Sequence, residues 1–367
     1  MAAPTVIVLR DRAGMGAIVP AWEDLAANAL EANPFYEPWF LLPALWARGE
    51  EGFECVSVWD DGKLIGLFPF ERKASFKRLP VATLTAWRHS AYLLCTPLVR
   101  TAAAHTALRA LLRWAVDQDA VLEFLYLPAA GAFDDALRTV AKTIVRTARF
   151  SRALLVKGSS ADAYMEEAMS SQFRRQLRRN ERRLAERGMR TINIGPGDDI
   201  GGEVEAFLRL EASGWKGREG GALAASAANL RFGRDVLTEA HRRGRLHMVG
   251  MDCDGAPIAR RASLLAGEGA YAFKTAYDEA YAAYSPGVLA EALSLREFHD
   301  LPGVRWMDSY SEPGNTTVNR MWKDRRAMQS VALGIGGWGS FWLSVYSSLI
   351  SSVRDTARTA ERLRRAA

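Results

Sequence analysis

Each half of this chain contains the same short pattern, in which two apolar runs are joined by an Asp-Gly turn. In the first half the runs CVSVWD and KLIGLFPF flank Asp61-Gly62, and in the second half RLHMVGMDC and APIARRASLL flank Asp254-Gly255. Asp-Gly between two apolar runs is typical of a β-hairpin with a two-residue turn. Helix-like runs surround both hairpins, so the sequence predicts two related α/β domains.

The length and composition of the chain leave room for two domains. It has 367 residues, of which 49% are hydrophobic and 25% charged, as in a folded protein with two cores. The apolar run Thr5–Leu9 is too short for a signal peptide and predicts a first strand. The predicted fold is α/β (α+β), with mixed central sheets flanked by helices. The predicted domains are 1–155 and 156–336, followed by a tail, 337–367.

The three cysteines, Cys55, Cys95 and Cys253, lie far apart in the sequence. They form no CxxC pair and no cluster with histidine, so the sequence predicts neither a disulfide framework nor a metal site. We interpret them as reduced core thiols of a cytoplasmic protein.

One segment of the second half joins a predicted strand to a predicted helix through Ser285-Pro286-Gly287. The first N–H groups of a helix are free and carry the positive end of its dipole, so a helix start of this kind binds phosphate well. The alternative is an ordinary turn with proline at an early helical position, which spacing alone favours.

Several blocks of sequence between residues 160 and 330 resemble a known family. They include SQFRRQLRRNERRLAERG, SGWKGR, RFGRDVL, DGAPIA, YAFKTAYDEAYAAYSPGVL and MDSY. Together they resemble the acetyltransferase family named for a cellulose-biosynthesis protein, within the GCN5-related N-acyltransferase (GNAT) superfamily. In the first half, NPFYEPWF and DGKLIGLFPF resemble it more loosely. Tandem copies of this fold also resemble the FemABX peptidoglycan aminoacyltransferases.

The resemblance implies transfer of an acyl group from acyl-coenzyme A, a co-substrate rather than a bound cofactor, to an amine. It implies that the coenzyme A phosphates lie at the helix start, on Tyr284, Ser285, Gly287 and Val288. The superfamily's usual Q/RxxGxG/A loop is absent, and Tyr284-Ser285-Pro286-Gly287 stands in its place. Arg325, which follows a further block, is expected to bind phosphate or membrane.

The chemistry of thioester aminolysis indicates the catalytic candidates. The amine must be neutral, the carbonyl must be polarised, and the leaving thiolate needs a proton. Asp308 is a candidate general base or the orienter of one, Tyr310 a candidate acid, and Lys274 a candidate for stabilising the oxyanion. Asp278 is a further catalytic candidate, on the same predicted strand as Lys274, which leads to the phosphate turn. His89 is a candidate base if the first half of the chain contributes to the site. The alternative for each is a structural role.

The acceptor side is predicted from the family blocks. Its candidate residues are Trp215, Lys216, Arg218, Tyr277, Phe35 and Tyr36. We expect a lipid amine as acceptor, and a sphingoid long-chain base in particular, as in the bacterial ceramide synthases of this superfamily. The alternatives are an amino sugar of an exopolysaccharide precursor, FemABX-like transfer from aminoacyl-tRNA, and a non-catalytic membrane-surface protein that keeps the fold.

The positive charge of the chain is concentrated in two segments. The net charge is +6, and the segment 171–190 alone has eight arginines against two glutamates. These arginines recur on one face of a predicted helix, which favours a solvated face, contact with anionic lipid headgroups, or a clamp on the 3′-phosphate of coenzyme A. The segment has no interleaved aromatic residues, and we expect no nucleic acid partner.

The tail 337–367 predicts an amphipathic helix with serines on its polar face. Its apolar face contains Trp338, Phe341, Trp342, Val345, Tyr346, Leu349, Ile350 and Val353, and Leu343 breaks the pattern. Strand 325–335 is expected to close the sheet of the second domain, which leaves too few residues for a membrane span. The helix is expected either to pack on its own domain or, as we prefer, to lie in the membrane interface. The predicted location is therefore cytoplasmic and peripheral on the inner membrane.

Overall fold

The computed structural model describes residues 3–90, 93–195 and 197–350. These residues divide into two units. Unit 1 is formed by the described residues of the ranges 1–36, 50–149 and 328–367, and unit 2 by those of 37–49 and 150–327.

Strands and helices alternate along the chain, as predicted. The strands are β1 (Thr5–Leu9), β2 (Phe53–Asp60), β3 (Lys63–Lys73), β4 (Thr83–Ala86), β5 (Leu98–Val99), β6 (Val121–Pro128), β7 (Val145–Val156), β8 (Arg190–Ile194), β9 (Leu246–Cys253), β10 (Ala256–Ala266), β11 (Gly269–Tyr277), β12 (Trp306–Asp308) and β13 (Asp324–Gly334). The α-helices are α1 (Arg12–Ala17), α2 (Val19–Ala27), α3 (Pro38–Arg48), α4 (Ala104–Val116), α5 (Ala132–Val140), α6 (Ala161–Ala168), α7 (Ser171–Ala185), α8 (Ile200–Ser213), α9 (Trp215–Arg218), α10 (Ala227–Arg242), α11 (Pro286–Asp300) and α12 (Thr316–Met321). A further helix spans 336–350.

The sheet of unit 1 has the order β1-β2-β3-β4-β6-β13, with β5 beside β3. Strands β1 to β4 form an antiparallel meander, β4 and β6 are parallel, and β6 and β13 are antiparallel. Its core lies between this sheet and helices α4 and α5, with Leu108, Leu111 and Leu137 buried against Leu122 and Phe124.

The sheet of unit 2 repeats this arrangement. Strands β8 to β11 are an antiparallel meander, β11 and β12 are parallel, and β12 and β7 are antiparallel. Asp61 and Gly62 have φ of 47° and 73°, and Asp254 and Gly255 have φ of 53° and 77°. Both hairpins therefore have the two-residue turn with positive φ that Asp-Gly favours. The predicted α/β class, with mixed sheets flanked by helices in tandem, is confirmed.

The last strand belongs, from Met328 onward, to a different unit from the one predicted. From Met328 to Gly334, β13 pairs with β6 of unit 1. Its residues Val331 and Leu333 are buried in the core of that unit, beside Phe124. The expectation that strand 325–335 closes the sheet of the second domain is wrong. The predicted boundaries also differ at residues 37–49, because α3 packs on α10 within unit 2.

The predicted C-terminal helix is present, but its buried face differs from the predicted one. Leu343, the residue that breaks the predicted apolar face, is only 2% exposed, whereas Trp338 and Phe341 are 50% and 53% exposed. The helix packs on unit 1 through Leu343, with Trp342 and Tyr346 at the edge of that contact. Residues 351–367, which include Val353 and five arginines, lie outside the described part of the chain. In that described part, no helix has both the length and the hydropathy needed to span a bilayer.

All three cysteines are buried free thiols, as predicted. Burial raises the pKa of the Cys55 thiol well above its ordinary value, because the thiolate would lose its hydration. A thiol of this kind contributes to packing rather than to chemistry.

Candidate active site

A cavity of about 710 Å³ lies in unit 2, beside the start of α11. Its walls are formed by strand β11 and by the segment that follows β12, the parallel neighbour of β11. The pairing of these two strands ends at Tyr271 and Asp308, although β11 continues to Tyr277. Beyond that point the two strands separate, and Ser309 and Tyr310 line the cavity opposite β11. Strand edges that have lost their partner present backbone N–H and C=O groups to whatever fills the gap.

An irregularity in β11 shapes the wall of the cavity. The register between β10 and β11 shifts so that Phe273 is an extra residue on β11. A bulge of this kind bends the strand and redirects its side chains. As a result Phe273, Lys274 and Thr275 all line the cavity, although adjacent residues of a regular strand point to opposite faces.

The helix start predicted from the sequence lies at one end of the cavity. Ser285 has φ and ψ of 56°, and α11 begins at Pro286. The carbonyl of Ser285 accepts from the N–H of Val288 and of Leu289, at 3.0 and 3.1 Å. A Cβ added at Gly287 would lie 2.8 Å from Cδ1 of Tyr277. The Tyr277 ring therefore packs directly on the backbone of the first helical turn, and only glycine permits this.

Helix α7 supports this turn from behind. Asn180 is 3% exposed and donates from Nδ2 to the carbonyl of Tyr284, at 2.9 Å. The guanidinium of Arg183 lies 4.6 Å from the centre of the Tyr284 ring, and that of Arg187 lies 5.3 Å from the Tyr281 ring. Tyr284 does not line the cavity, so its contribution is to hold the turn in place rather than to contact a phosphate.

The structure brings together six of the residues that the sequence predicted. Lining the cavity are Lys274, Tyr277, Ser285, Gly287, Val288 and Tyr310. The ammonium of Lys274 lies 2.7 Å from Oε1 of Glu211, whose side chain is fully buried. Tyr310 has φ of 49°, which is unusual for a bulky residue, and its N–H donates to Oδ1 of Asp308 at 2.9 Å.

Asp308 lies behind the cavity and does not line it. Its side chain is fully buried, and Oδ1 lies 2.6 Å from Nε of Arg152. Oδ2 lies 3.1 Å from Nη1 of Arg326 and also accepts from Arg152. Both oxygens of this carboxylate are therefore already occupied, by two guanidinium groups and a backbone N–H. The structure does not support a general-base role for Asp308, and its bond to the Tyr310 N–H indicates an orienting role.

Asp278 and Arg325 have structural partners instead of the predicted ones. The side chain of Asp278 accepts from the N–H of Ala280 at 2.9 Å and caps the short 3₁₀ helix before α11. Arg325 donates to the carbonyls of Trp322 and Asp324 at 2.6 and 2.7 Å, and so closes the end of α12. These contacts use the groups that were predicted to take part in catalysis and phosphate binding.

Among the predicted acceptor residues, Tyr277 lines the cavity and Arg218 does not. Arg218 forms a two-pronged ion pair with Glu279, at 2.9 and 3.0 Å, and its side chain is 62% exposed. Trp215 and Lys216 begin α9, and their side chains lie outside the described part of the structure.

Phe35, Tyr36 and His89 are buried residues of unit 1. The hydroxyl of Tyr36 donates to the carbonyl of Trp87 at 2.6 Å, as expected of a core tyrosine that has satisfied its polar group. The structure gives these three residues a packing role, and it does not place them at the cavity of unit 2.

Two residues of the cavity were missed by the sequence analysis. Arg261 and Glu291 are 1% and 4% exposed, line the cavity, and pair at 2.8 Å between Nη2 and Oε1. Burial raises the pKa of Glu291, since a buried carboxylate loses its hydration. The available signal was a pair of opposite charges inside an apolar strand, RRASLL, and an apolar helix, VLAEALS.

His247 lies on β9 and is 3% exposed. Burial, together with the positive charge of Arg261, lowers its pKa to about 4 from an ordinary value of 6.5. The folded protein therefore holds this imidazole in its neutral form at neutral pH.

Replacing His247 by asparagine is expected to reduce the acid sensitivity of the protein. As the pH falls below 6.5, the unfolded chain takes up a proton that the folded chain refuses until about pH 4. Stability present above pH 6.5 is lost across this window, by roughly 2 kcal/mol between pH 7 and pH 5. Urea unfolding at the two pH values measures the loss. Between pH 7 and pH 5, the His247→Asn variant should lose less stability than the wild type. The exposed control His105→Asn should lose as much stability as the wild type. Equal losses in all three would contradict the prediction.

Comparison with known proteins identifies the domain that contains the cavity. Residues 171–315 match the model of an acetyltransferase (GNAT) domain. This range includes α7, the bulged strand β11, the helix start at Pro286 and the Asp308–Tyr310 segment. Among curated proteins, none has a sequence that matches this chain.

Solved structures with a similar fold cover most of the chain. FemX has 8% sequence identity and a TM-score of 0.53, over 85% of this chain and 95% of its own. The C-terminal domain of a candidate lysylphosphatidylglycerol synthetase from Agrobacterium fabrum has 11% identity and a TM-score of 0.52, over 91% and 96%. A conserved protein of unknown function from Bacteroides thetaiotaomicron has 12% identity and a TM-score of 0.51, over 86% and 97%. At such identities the likeness concerns the fold alone. The sequence match at residues 171–315 adds a region that is similar to a GNAT acetyltransferase domain, and it supports an acyltransferase.

Proposed function

We propose that the protein transfers an acyl group from acyl-coenzyme A to an amine in the cavity of unit 2. The observation that carries this proposal is the separation of two parallel strands beside a helix start. A thin, extended ligand with amide groups fits between two strand edges, and its phosphates then lie at the N-terminus of α11. The cavity volume of about 710 Å³ is in the range of small-molecule sites.

The phosphate end of the donor would contact the first turn of α11. Pro286 has no N–H, which leaves the N–H of Gly287 as the first donor of the helix. The dipole of this 15-residue helix adds positive potential there. The arginines of α7 add positive charge next to this turn, since Arg183 stacks on Tyr284. These features support phosphate binding without the usual glycine-rich loop.

The reacting end of the donor would lie between Lys274 and Tyr310. The amine nitrogen bonds to the thioester carbon, and the carbon–sulfur bond breaks. Lys274, held by the buried Glu211, would stabilise the negative charge that develops on the carbonyl oxygen. The Tyr310 hydroxyl would give its proton to the departing thiolate.

The attacking amine must also lose a proton. Two carboxylates line the cavity, Glu291 and Glu312. Glu312 is exposed, whereas Glu291 is buried, and its burial raises its pKa and so favours uptake of a proton. We therefore assign the proton acceptor to Glu291. Glu291→Gln should remove the acidic limb of the pH profile of kcat, and Glu312→Gln should leave that limb in place.

For the acceptor we propose a lipid amine, most specifically a sphingoid long-chain base, at the inner face of a membrane. The resemblance of the sequence blocks is the support for this choice. An amino sugar is the alternative within the same reaction class, because both acceptors present a primary amine to the same thioester.

A second candidate function is aminoacyl transfer. Its support is the fold shared with FemX and with the C-terminal domain of the candidate lysylphosphatidylglycerol synthetase. In this case the donor would be an aminoacyl-tRNA, and the exposed arginines of α7, such as Arg175 and Arg179, would contact its phosphates.

A thiol-release assay separates these functions. The purified chain is mixed with acyl-coenzyme A and, in turn, a long-chain base, an amino sugar and no acceptor. Thiol release that depends on the long-chain base supports the proposal. Release only with the amino sugar would show that the acceptor is the amino sugar and not the lipid amine. No release with any amine, combined with transfer from aminoacyl-tRNA, would establish the second function. Inactivity with every donor would leave the non-catalytic alternative.

A further inference from the structure

The 336–350 helix is fixed on unit 1 by one of its faces. Leu343 is buried against Phe76, Val81, Val121 and Ala332. The Tyr346 ring contributes a second contact, with its centre 5.0 Å from that of Phe76. Gly339 packs closely on the residue before β6, since a Cβ there would lie 2.3 Å from the carbonyl oxygen of Ala120. The orientation of the helix on unit 1 is therefore determined by packing.

A second face of the same helix is apolar and exposed. Trp338, Phe341, Val345 and Leu349 are spaced by three, four and four residues, which places them on one side of the helix. We call these four residues the apolar stripe. Trp338, Phe341 and Leu349 are 50%, 53% and 55% exposed, and Val345 is partly buried. Large aromatic side chains that are half exposed on a well-packed helix are typical of an interaction surface.

The stripe is already ordered without a partner. The rings of Trp338 and Phe341 stack, with centres 5.8 Å apart and planes 23° apart. Nε1 of Trp338 donates to the carbonyl of Pro80 at 3.3 Å, and its backbone N–H donates to Asp119 at 2.8 Å. A surface that is preformed in this way pays little conformational entropy when it binds.

Two cationic residues of unit 1 lie in a turn beside the helix, and one of them, Lys77, pairs with Glu123 at 2.9 Å. The exposed residues Lys77 and Arg78 belong to the turn that joins Phe76 to Pro80, and both ends of this turn contact the helix. The sequence that follows the helix adds five arginines against Asp355 and Glu361. Exposed aromatic side chains beside a turn that carries lysine and arginine match the interface of a bilayer, where the rings lie at the headgroup boundary and the cations meet anionic lipid.

We propose that the apolar stripe docks on a bilayer that contains anionic phospholipid, with Trp338, Phe341 and Leu349 inserted at the headgroup boundary. This goes beyond the proposed acyl transfer, because docking depends on unit 1 and needs no turnover. A second copy of this chain is the other occupant that an apolar face admits, and it is an outcome of the test.

The test uses the full chain and two kinds of vesicle, one of phosphatidylcholine alone and one that also contains phosphatidylglycerol. The wild type should co-sediment with the anionic vesicles and much less with the neutral ones. The double variant Phe341→Glu, Leu349→Glu should bind the anionic vesicles about tenfold less or weaker still, since both side chains are exposed and their loss leaves the helix packed. The control Ile7→Glu changes another apolar residue of unit 1, which is 46% exposed on β1, and should bind as the wild type does.

Thiol release from soluble acyl-coenzyme A and the melting temperature are measured on the same samples. Thiol release and the melting temperature should be unchanged in the double variant. A loss of docking can then be distinguished from a loss of catalysis. Equal vesicle binding by the wild type and the double variant would overturn the proposal. So would a wild type that is dimeric without lipid and becomes monomeric in the double variant, because the stripe would then be the contact between two copies.

Discussion

Replacement of Gly287 by valine is expected to lower thiol release from acyl-coenzyme A by at least about 100-fold. The Tyr277 ring lies where a Cβ would be, at 2.8 Å from Cδ1. Valine therefore pushes the ring into the cavity and covers the first N–H groups of α11. The effect should appear both in KM for acyl-coenzyme A and in kcat, because the donor is displaced as well as weakened. Initial rates at several donor concentrations measure it.

Gly202 offers a matched control for this substitution. It lies in the first turn of α8, also in unit 2, and a Cβ there would meet nothing within 4 Å. Valine has a higher helix propensity than glycine, so this change is a gain below about 1 kcal/mol and is the same in both variants. Only Gly287→Val should lose activity. If both variants keep the wild-type rate, the donor does not bind at this helix start and the proposed function fails.

Replacement of Asp308 by asparagine is expected to destabilise the protein by about 3–5 kcal/mol. The substitution removes a negative charge that lies 2.6 Å from Nε of Arg152, and the side chains of both residues are fully buried. The loss of a charge that pairs with a buried guanidinium costs more than the hydrogen bonds that the asparagine keeps. Urea unfolding at neutral pH measures the change.

Glu268→Gln is the matched control for Asp308→Asn. Glu268 also pairs with an arginine, Arg305, but their side chains are 61% and 75% exposed. An exposed pair of this kind contributes at most about 1 kcal/mol. A loss in Asp308→Asn as small as that in the control would contradict the burial argument. A fully stable Asp308→Asn without activity would restore the general-base hypothesis.

Local sequence was sufficient for much of the fold and for part of the site. Each Asp-Gly hairpin depends on two adjacent turn residues between paired residues that are three positions apart, and both hairpins were predicted. Lys274, Tyr277, Ser285 and Gly287 fall within one strand-to-helix segment, so a single run of sequence brings them near each other.

Contacts between distant residues were beyond the reach of sequence patterns. The partner of Asp308 is Arg152, 156 positions away, and the partner of Lys274 is Glu211, 63 positions away. A pattern of apolar residues gives the face of a helix only when one side is buried. Leu343 was misassigned because the 336–350 helix has apolar residues on two faces, one packed and one exposed. The apolar periodicity of the sequence does not distinguish the packed face of this helix from the exposed one.

The position of β13 in the sheet has a consequence for biosynthesis. The edge of β6 in unit 1 is completed by a strand that begins near Met328, about 200 residues later in the chain. At ordinary translation rates of about 5–20 residues per second, the ribosome needs roughly 10–40 s to make that segment. Throughout this time the nascent first unit presents a bare strand edge to the cell. The unit that is begun first is thus finished last, and chaperones that shield strand edges should be bound to its nascent chain.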